Sequence, residues 1–348
     1  MAQHVEKFVN TGEVLLEVNH LKKYYPIEEG LLKRQVGTVK AVDDVSLYIN
    51  RNETLGLVGE SGCGKTTLGR CILRAIEPTE GEVLFHMVQD QPPVDIARLN
   101  KRELQAIRRK MALVFQNPYS SLDPRMTVLQ IVAEPMLLNG IPMDESTERV
   151  GELLEMVGLE RKQMNRYPHA FSGGQRQRIG IARALALNPQ FIVADEAVSA
   201  LDVSVQAQIL NLLQDLKETF KPTFLFIAHD LSVIEHVSDR VGVMYVGHLV
   251  ELAPTEEIYL KPRHPYTEAL LSAIPRVDPI QRASRILLPG EVVNAANLPS
   301  GCCFHPRCKY CIDKCINHVP VWTEVSTGHY VACHRAEELE LRGVEQEV

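Results

Sequence analysis

The run Leu55-Gly56-Leu57-Val58-Gly59-Glu60-Ser61-Gly62-Cys63-Gly64-Lys65-Thr66-Thr67 sets a short apolar strand before a glycine-rich turn that ends in Lys-Thr-Thr and opens a helix. Gly59 to Thr66 keeps the spacing G-x-x-x-x-G-K-T. Gly59, Gly62 and Gly64 let successive backbone N–H groups curl round a phosphate, and the helix N-terminus behind them adds positive potential. In such a loop Lys65 reaches the β- and γ-phosphates of a nucleotide, and the Thr66 hydroxyl ligates Mg²⁺. Ser61, Cys63 and Thr67 share the cradle, Cys63 as a small filler. The alternative is a plain glycine turn. The strand before it and the apolar Leu68, Cys71 and Ile72 after it supply the context that a nucleotide site needs.

Two further strings carry chemistry. Phe191-Ile192-Val193-Ala194-Asp195-Glu196 is an apolar strand ending in two acids: Asp195 can hold a metal through water, and Glu196 can polarise an attacking water. Acids also end strands as solvated turn residues, so the pair gains its meaning from the phosphate loop upstream. Phe171-Ser172-Gly173-Gly174-Gln175-Arg176-Gln177-Arg178 reads as a helix start with basic residues on its first turns. Ser172 suits an N-cap, and the exposed N–H groups there suit an anion.

This third string resembles the Leu-Ser-Gly-Gly-Gln signature of ATP-binding cassette (ABC) ATPases. Gln116, in Val114-Phe115-Gln116-Asn117-Pro118, resembles that family's Q-loop glutamine, Ser199-Ala200-Leu201-Asp202 its D-loop, and His229 in Ile227-Ala228-His229-Asp230 its switch histidine. The resemblance implies a head-to-tail pair of cassettes, in which ATP on one chain's phosphate loop is covered by the other chain's signature (Ser172, Gly173, Gly174, Gln175). It implies Glu196 as general base, His229 as γ-phosphate contact, Gln116 as a Mg²⁺ contact that senses the membrane subunit, and Asp202 at the nucleotide. Tyr25 aligns best with the adenine-stacking aromatic, with Tyr24 as the other choice; a stacked ring contributes about 1 kcal/mol. Two positions depart from the family pattern: Phe171 replaces leucine, and Ala197 replaces proline.

The elements that must position these residues follow from pattern. Residues 13 to 25 read as a strand ended by Pro26, Ile27 to Lys40 as a surface insertion, and Val42, Val45, Leu47 and Ile49 alternate as in an antiparallel strand. Gly81 to Phe85 and Met111 to Phe115 read as further strands, and Asp95 to Arg109 as a charged helix. Between Asn117 and Tyr167, prolines and the amphipathic run Glu148 to Val157 indicate inserted helices. A helix from Val203 to Glu218 and a strand from Thr223 to Ala228 complete an α/β core with a mostly parallel sheet.

At 348 residues the chain suits a large domain plus a smaller one. No apolar run nears the roughly 20 residues of a membrane span, and Met1 to Asn10 lacks a signal-peptide pattern. The net charge of −7 argues against nucleic acid as a partner. In a cytoplasmic chain the eight cysteines read as thiols or metal ligands rather than disulfides.

Past Leu252 the composition turns proline-rich, and Pro262-Arg263-His264-Pro265-Tyr266-Thr267-Glu268-Ala269-Leu270-Leu271 resembles the C-terminal extension of cassettes serving oligopeptide, dipeptide and nickel importers, most closely the F-type ATPase subunit. Six cysteines crowd between Cys302 and Cys333. Cys302, Cys308, Cys315 and Cys333 match the subfamily pattern. They could hold a 4Fe–4S cluster, as the resemblance implies, or a structural Zn²⁺, with Cys303 and Cys311 spare.

The expected fold is therefore a P-loop NTPase of the ABC type with antiparallel β and helical subdomains: a nucleotide-binding domain over 12–252, its helical part about 117–175, and a small Cys-rich C-terminal domain over 253–348. The resemblance implies an ATPase that energises peptide import at the cytoplasmic face of the inner membrane. Its expected partners are a paralogous cassette, two permease subunits and, indirectly, an extracytoplasmic binding protein. The alternatives are an importer of nickel or another small solute, or a soluble ABC ATPase outside transport.

Overall fold

The computed structural model describes residues 14–30, 34–88, 91–274 and 285–344. Met1 to Asn10 and two of the boundary prolines, Pro275 and Pro279, lie outside them. In chain order the first elements are β1 (Val14–Glu29), β2 (Arg34–Asn50), β3 (Thr54–Val58), α1 (Lys65–Ile72), β4 (Glu80–Phe85), β5 (Val94–Asp95), α2 (Lys101–Arg108) and β6 (Met111–Val114). There follow α3 (Val128–Leu138), α4 (Met143–Met156), α5 (Gly173–Leu185), β7 (Phe191–Asp195), α6 (Val203–Phe220), β8 (Thr223–Ile227) and α7 (Leu231–Val237). The last are β9 (Arg240–Tyr245), β10 (His248–Pro254), α8 (Thr255–Leu260), α9 (Pro265–Leu271), α10 (Asp313–Asn317), β11 (Thr323–Ser326) and β12 (His329–Val331).

The chain divides into two compact units, one formed by the residues up to Arg98 together with those from Ala228 onward, the other by Leu99–Ile227. In the first, an antiparallel sheet runs in the order β2-β1-β4-β5. The alternation of Val42, Val45, Leu47 and Ile49 buries all four fully, as period-two patterning requires. The segment expected as a surface insertion is instead a continuation of this hairpin: Tyr25 pairs with Val39, Pro26 with Thr38 and Ile27 with Gly37. Pro26 does not end β1. The pairing of β1 with β4 stops at Lys22, so beyond it the strand has a neighbour on one side, where a residue without an N–H is tolerated.

The first unit also holds β3 beside β9 in parallel register, with β10, β12 and β11 added antiparallel outward. Every residue of β3 and of β9 is buried, as expected of strands covered on both faces. In the second unit β6, β7 and β8 pair in parallel, and α3, α4 and α5 supply the helical part. Capping boxes begin three helices: Asn100 with Glu103, Thr127 with Gln130, and Ser172 with Gln175.

The segment after Leu252 thus belongs to the same compact unit as the phosphate loop, its strand β12 extending the sheet through β10. Its helix α9 is capped by His264, whose Nδ1 accepts from the Tyr266 N–H at 3.1 Å. Full burial pushes this imidazole down to about 3 from its usual 6.5, so the folded chain binds fewer protons than the unfolded chain between those values. The stability this neutral histidine contributes is complete above about pH 6.5 and is lost as pH falls from there toward 3. His264→Asn keeps a cap acceptor without the titration. Its thermal midpoint is expected to fall less than that of the wild type between about pH 7.5 and about pH 5, as followed by circular dichroism.

Candidate ATP site and cysteine pocket

The phosphate loop is shaped by close backbone approach. Gly59 has φ +147 and Gly64 φ +106, and a Cβ would come within 2.1 Å of the Met244 carbonyl oxygen at Gly59 and 2.0 Å of the Ala41 carbonyl oxygen at Gly64. No other residue fits either position. A Cβ on Gly62, at φ +79, would meet nothing within 4 Å, so there glycine serves the backbone conformation alone. The Lys65 side chain is 4% exposed. Its ammonium donates to the carbonyl oxygens of Gly59 at 2.7 Å and Glu60 at 3.0 Å, so the cation sits inside the ring of backbone that it serves. Cys63 is buried, which pushes its thiol up despite neighbouring Lys65; it fills space, as expected. Thr66 and Thr67 follow in the first turn of α1, half-buried.

Glu60 is held on every side. Its N–H donates to the Tyr266 hydroxyl of α9 at 2.8 Å, and its carboxylate receives two hydrogen bonds from the Arg307 guanidinium, at 2.7 and 3.1 Å. The pair holds Arg307 well above its usual range. Tyr245, Tyr266 and Phe304 cluster beside this contact in tilted and edge-to-face arrangements, with ring centroids 4.7 to 5.4 Å apart. Sequence reasoning missed both Tyr266 and Arg307 as neighbours of the loop, because they lie 206 and 247 residues away from Glu60.

The two tyrosines expected near the base differ in engagement. The Tyr24 hydroxyl donates to Asp43, and burial with that bond pushes its phenol up. Burial opposes ionisation of Asp43, but bonds from Tyr24 and Lys40 hold its carboxyl below the usual range. Tyr25 is 36% exposed, with the Lys23 ammonium 4.9 Å from its ring centroid.

In the second unit, β7 delivers Asp195 buried at its end. Glu196 follows at φ +47, a left-handed conformation unusual for a residue with a side chain. Its N–H is tied to the Ile227 carbonyl at 2.9 Å. Its carboxylate accepts from the Gln116 side-chain amide at 2.5 Å, so two residues 80 apart in the chain meet. Ala197, where the family has proline, is buried, and the turn closes through the Ser199 hydroxyl donating to the Glu196 carbonyl at 3.0 Å. The signature starts α5: the Ser172 hydroxyl accepts from the Gln175 N–H at 3.3 Å and the Gln175 side chain accepts from the Ser172 N–H at 3.0 Å. Phe171 is buried as the apolar anchor. Gly173 follows Ser172, and a Cβ on it would lie 3.4 Å from the Tyr119 hydroxyl. Arg176 lies over the Tyr119 ring at 4.3 Å. Asp202 is the residue before α6. His229 belongs to the first unit, exposed, next to the Asp230 cap of α7.

Cys302, Cys308, Cys315 and Cys333 line one apolar pocket with His264, Phe304 and Tyr310; Cys303 and Cys311 do not line it. Burial and the neighbouring cysteines push Cys302 and Cys333 up to about 12. Among the described residues no group of three or more His, Cys, Asp or Glu side chains converges tightly enough to hold a single metal ion.

Residues 42–199 match the ABC transporter family and residues 250–315 the oligopeptide/dipeptide transporter C-terminal region. The chain is 51% identical to the oligopeptide transport ATP-binding protein AppF of Bacillus subtilis, over 92% of this chain and 97% of that one. It is 51% identical to a probable peptide ABC transporter ATP-binding protein, y4tS, of Sinorhizobium fredii, over 93% and 90%. Among solved structures it is similar to the cassette MJ0796, described as a dimer in a post-hydrolysis state bound to ADP and Pi, with TM-score 0.60 and 31% identity over 69% of this chain and 99% of that one. It is also similar to CbiO1 of Clostridium perfringens, described as part of an ABC transporter complex, with TM-score 0.59 and 25% identity over 71% and 91%. The chain belongs to the ABC transporter ATP-binding family, in the branch that carries the oligopeptide/dipeptide C-terminal region. It is an ABC-type ATPase. Among the described residues no helix is long and apolar enough to cross a membrane.

Two of the glycines within α5 give a contrast. A Cβ on Gly174 would sit 2.4 Å from Val205 Cγ1, whereas one on Gly180 would meet nothing within 4 Å. Gly174→Ala is expected to lose about 1–3 kcal/mol by overpacking against α6, and Gly180→Ala to gain roughly 0.5–1 kcal/mol, both read from urea unfolding of the isolated chain.

Proposed function

We propose that this chain is the ATP-hydrolysing subunit of a transporter that imports di- or oligopeptides. The observation that carries the catalytic part is the Gln116 amide on the Glu196 carboxylate, which holds a strained acid at the end of β7 in one orientation. Strain of this kind is kept where surroundings over-determine it, and it clusters at reacting centres. Glu196 acts as general base on the attacking water. Lys65 and the loop N–H groups take charge developing on the transferred phosphoryl group, and His229 contacts its oxygens. Thr66, Gln116 and Asp195 would hold Mg²⁺, which would supply positive charge to offset that of the phosphates. Tyr25, the more exposed of the two tyrosines, stacks on the base.

The peptide substrate is supported by the names of the 51%-identical relatives. In this reading the segment Ser172–Gln175 covers ATP held by a second, paralogous cassette, with Asp202 close by. The pair docks from the cytoplasmic side on two permease subunits, which take peptide from an extracytoplasmic binding protein. The similarity to a cassette solved as a dimer supports the pairing.

The residues after Leu252 form the importer-type extension, and its four-cysteine pocket holds a 4Fe–4S cluster. Four cysteine thiolates are a ligand set for such a cluster and equally for a structural Zn²⁺; the likeness of the cysteine pattern to the importer branch favours the cluster.

Glu196→Gln is expected to bind ATP and to lower steady-state hydrolysis by about 10²-fold or more; turnover at the wild-type rate would remove Glu196 from the base role. Purified without oxygen, the protein is expected to be brown and to contain iron and sulfide, with the colour lost in Cys315→Ser. A colourless, zinc-containing protein would overturn the cluster.

A further inference from the structure

We propose that Arg307 is a positioning residue of the ATP site, neutralising Glu60 so that the loop Gly59–Thr66 can accept phosphate. The inference rests on the reading of that loop as the phosphate cradle. Glu60 puts a carboxylate on the loop meant to receive a strongly anionic ligand, and a like charge there works against binding. Its compensation comes from outside the motif. The Arg307 side chain, 8% exposed, meets the Glu60 side chain, 27% exposed, through two hydrogen bonds, the fork geometry that gives a guanidinium–carboxylate pair its strength and direction. The Tyr266 hydroxyl fixes the Glu60 backbone N–H from α9, and the carboxylate cannot swing toward the loop mouth without breaking its two bonds to Arg307.

Arg307 stands next to Cys308, which lines the cysteine pocket. The Tyr245–Tyr266–Phe304 ring cluster joins the end of β9 to α9 and to the cysteine segment. The extension therefore reaches the phosphate loop through one charged contact, and whatever displaces Arg307 exposes the loop to its own acid. ATP affinity and the placement of the cysteine segment are in that case linked, and linkage acts equally in both directions.

The test uses the full-length protein and MgATP binding by calorimetry, with thermal unfolding to confirm that each variant folds. Arg307→Gln is expected to weaken ATP about tenfold, less so as salt rises. In hydrolysis the change should fall in KM, with kcat within about twofold. Arg307→Lys, which keeps the charge but loses the fork, should lie between. The double variant Arg307→Gln with Glu60→Gln should recover to within about threefold of wild type, since removing the acid removes the need for its partner. A purely structural role for Arg307 would leave the double variant as weak as the single, and that result, or wild-type affinity in Arg307→Gln, would overturn the proposal. Should Arg307→Gln not fold, the double variant decides alone, and tenfold weaker binding in it counts against. Lys65→Ala is the control on the loop: if it binds ATP normally, the reading of the cradle itself fails.

Discussion

The buried ammonium of Lys65 is the constraint on which the loop depends. A cation 4% exposed is tolerated only where its charge is met by acceptors, and the acceptors here are the Gly59 and Glu60 carbonyls. Those carbonyls can point inward only because Gly59 and Gly64 lie against the Met244 and Ala41 backbones at distances no side chain permits. The parallel pairing of β3 with β9, which runs to Val58 opposite Val243, brings Gly59 against Met244. Charge, loop conformation and sheet register are therefore one requirement.

In the second unit a different constraint does the same service. Glu196 adopts a left-handed backbone, at a cost of about 1–3 kcal/mol, and the Ile227 carbonyl, the Ser199 hydroxyl and the Gln116 amide hold it there. The acid is oriented by its neighbours on β8, on the turn and past β6, and the cost of its backbone conformation is met in folding.

Much of this was legible in the sequence, because the loop, the acidic strand end and the signature are local patterns whose chemistry depends on spacing within a few residues. The strands β3, β7 and β8 were equally plain, being short apolar runs. Pro26 misled, since a proline ends a strand only where its missing N–H was needed, and the loss of β4 as a neighbour beyond Lys22 could not be seen in one dimension. The motif from Pro262 to Leu271 was readable only by resemblance. The structure gives it physical content: His264 caps α9, Tyr266 holds the phosphate loop, and Glu268 gathers donors. Glu60 stood in plain view at a variable position of the motif, and its partner lay too far along the chain to suspect.

The extension shows how a segment with little apolar mass can still be placed without ambiguity. Two buried carboxylates hold it, Glu251 on β10 just before it and Glu268 within it. Glu251, fully buried, takes the N–H groups of Arg263 and His264 and pairs with His329 Nε2 at 2.8 Å. Glu268, 2% exposed, takes the Lys309 ammonium, the Tyr310 hydroxyl and the Arg342 N–H. Burying a carboxylate costs several kcal/mol unless its lone pairs are met, so these contacts add little net stability. They do exclude alternatives: any shift of β12, of α9 or of the cysteine segment orphans a buried charge. Apolar packing would tolerate sliding, whereas two acids with three donors each accept one arrangement, and that arrangement sets four thiols around one pocket and Arg307 against the phosphate loop.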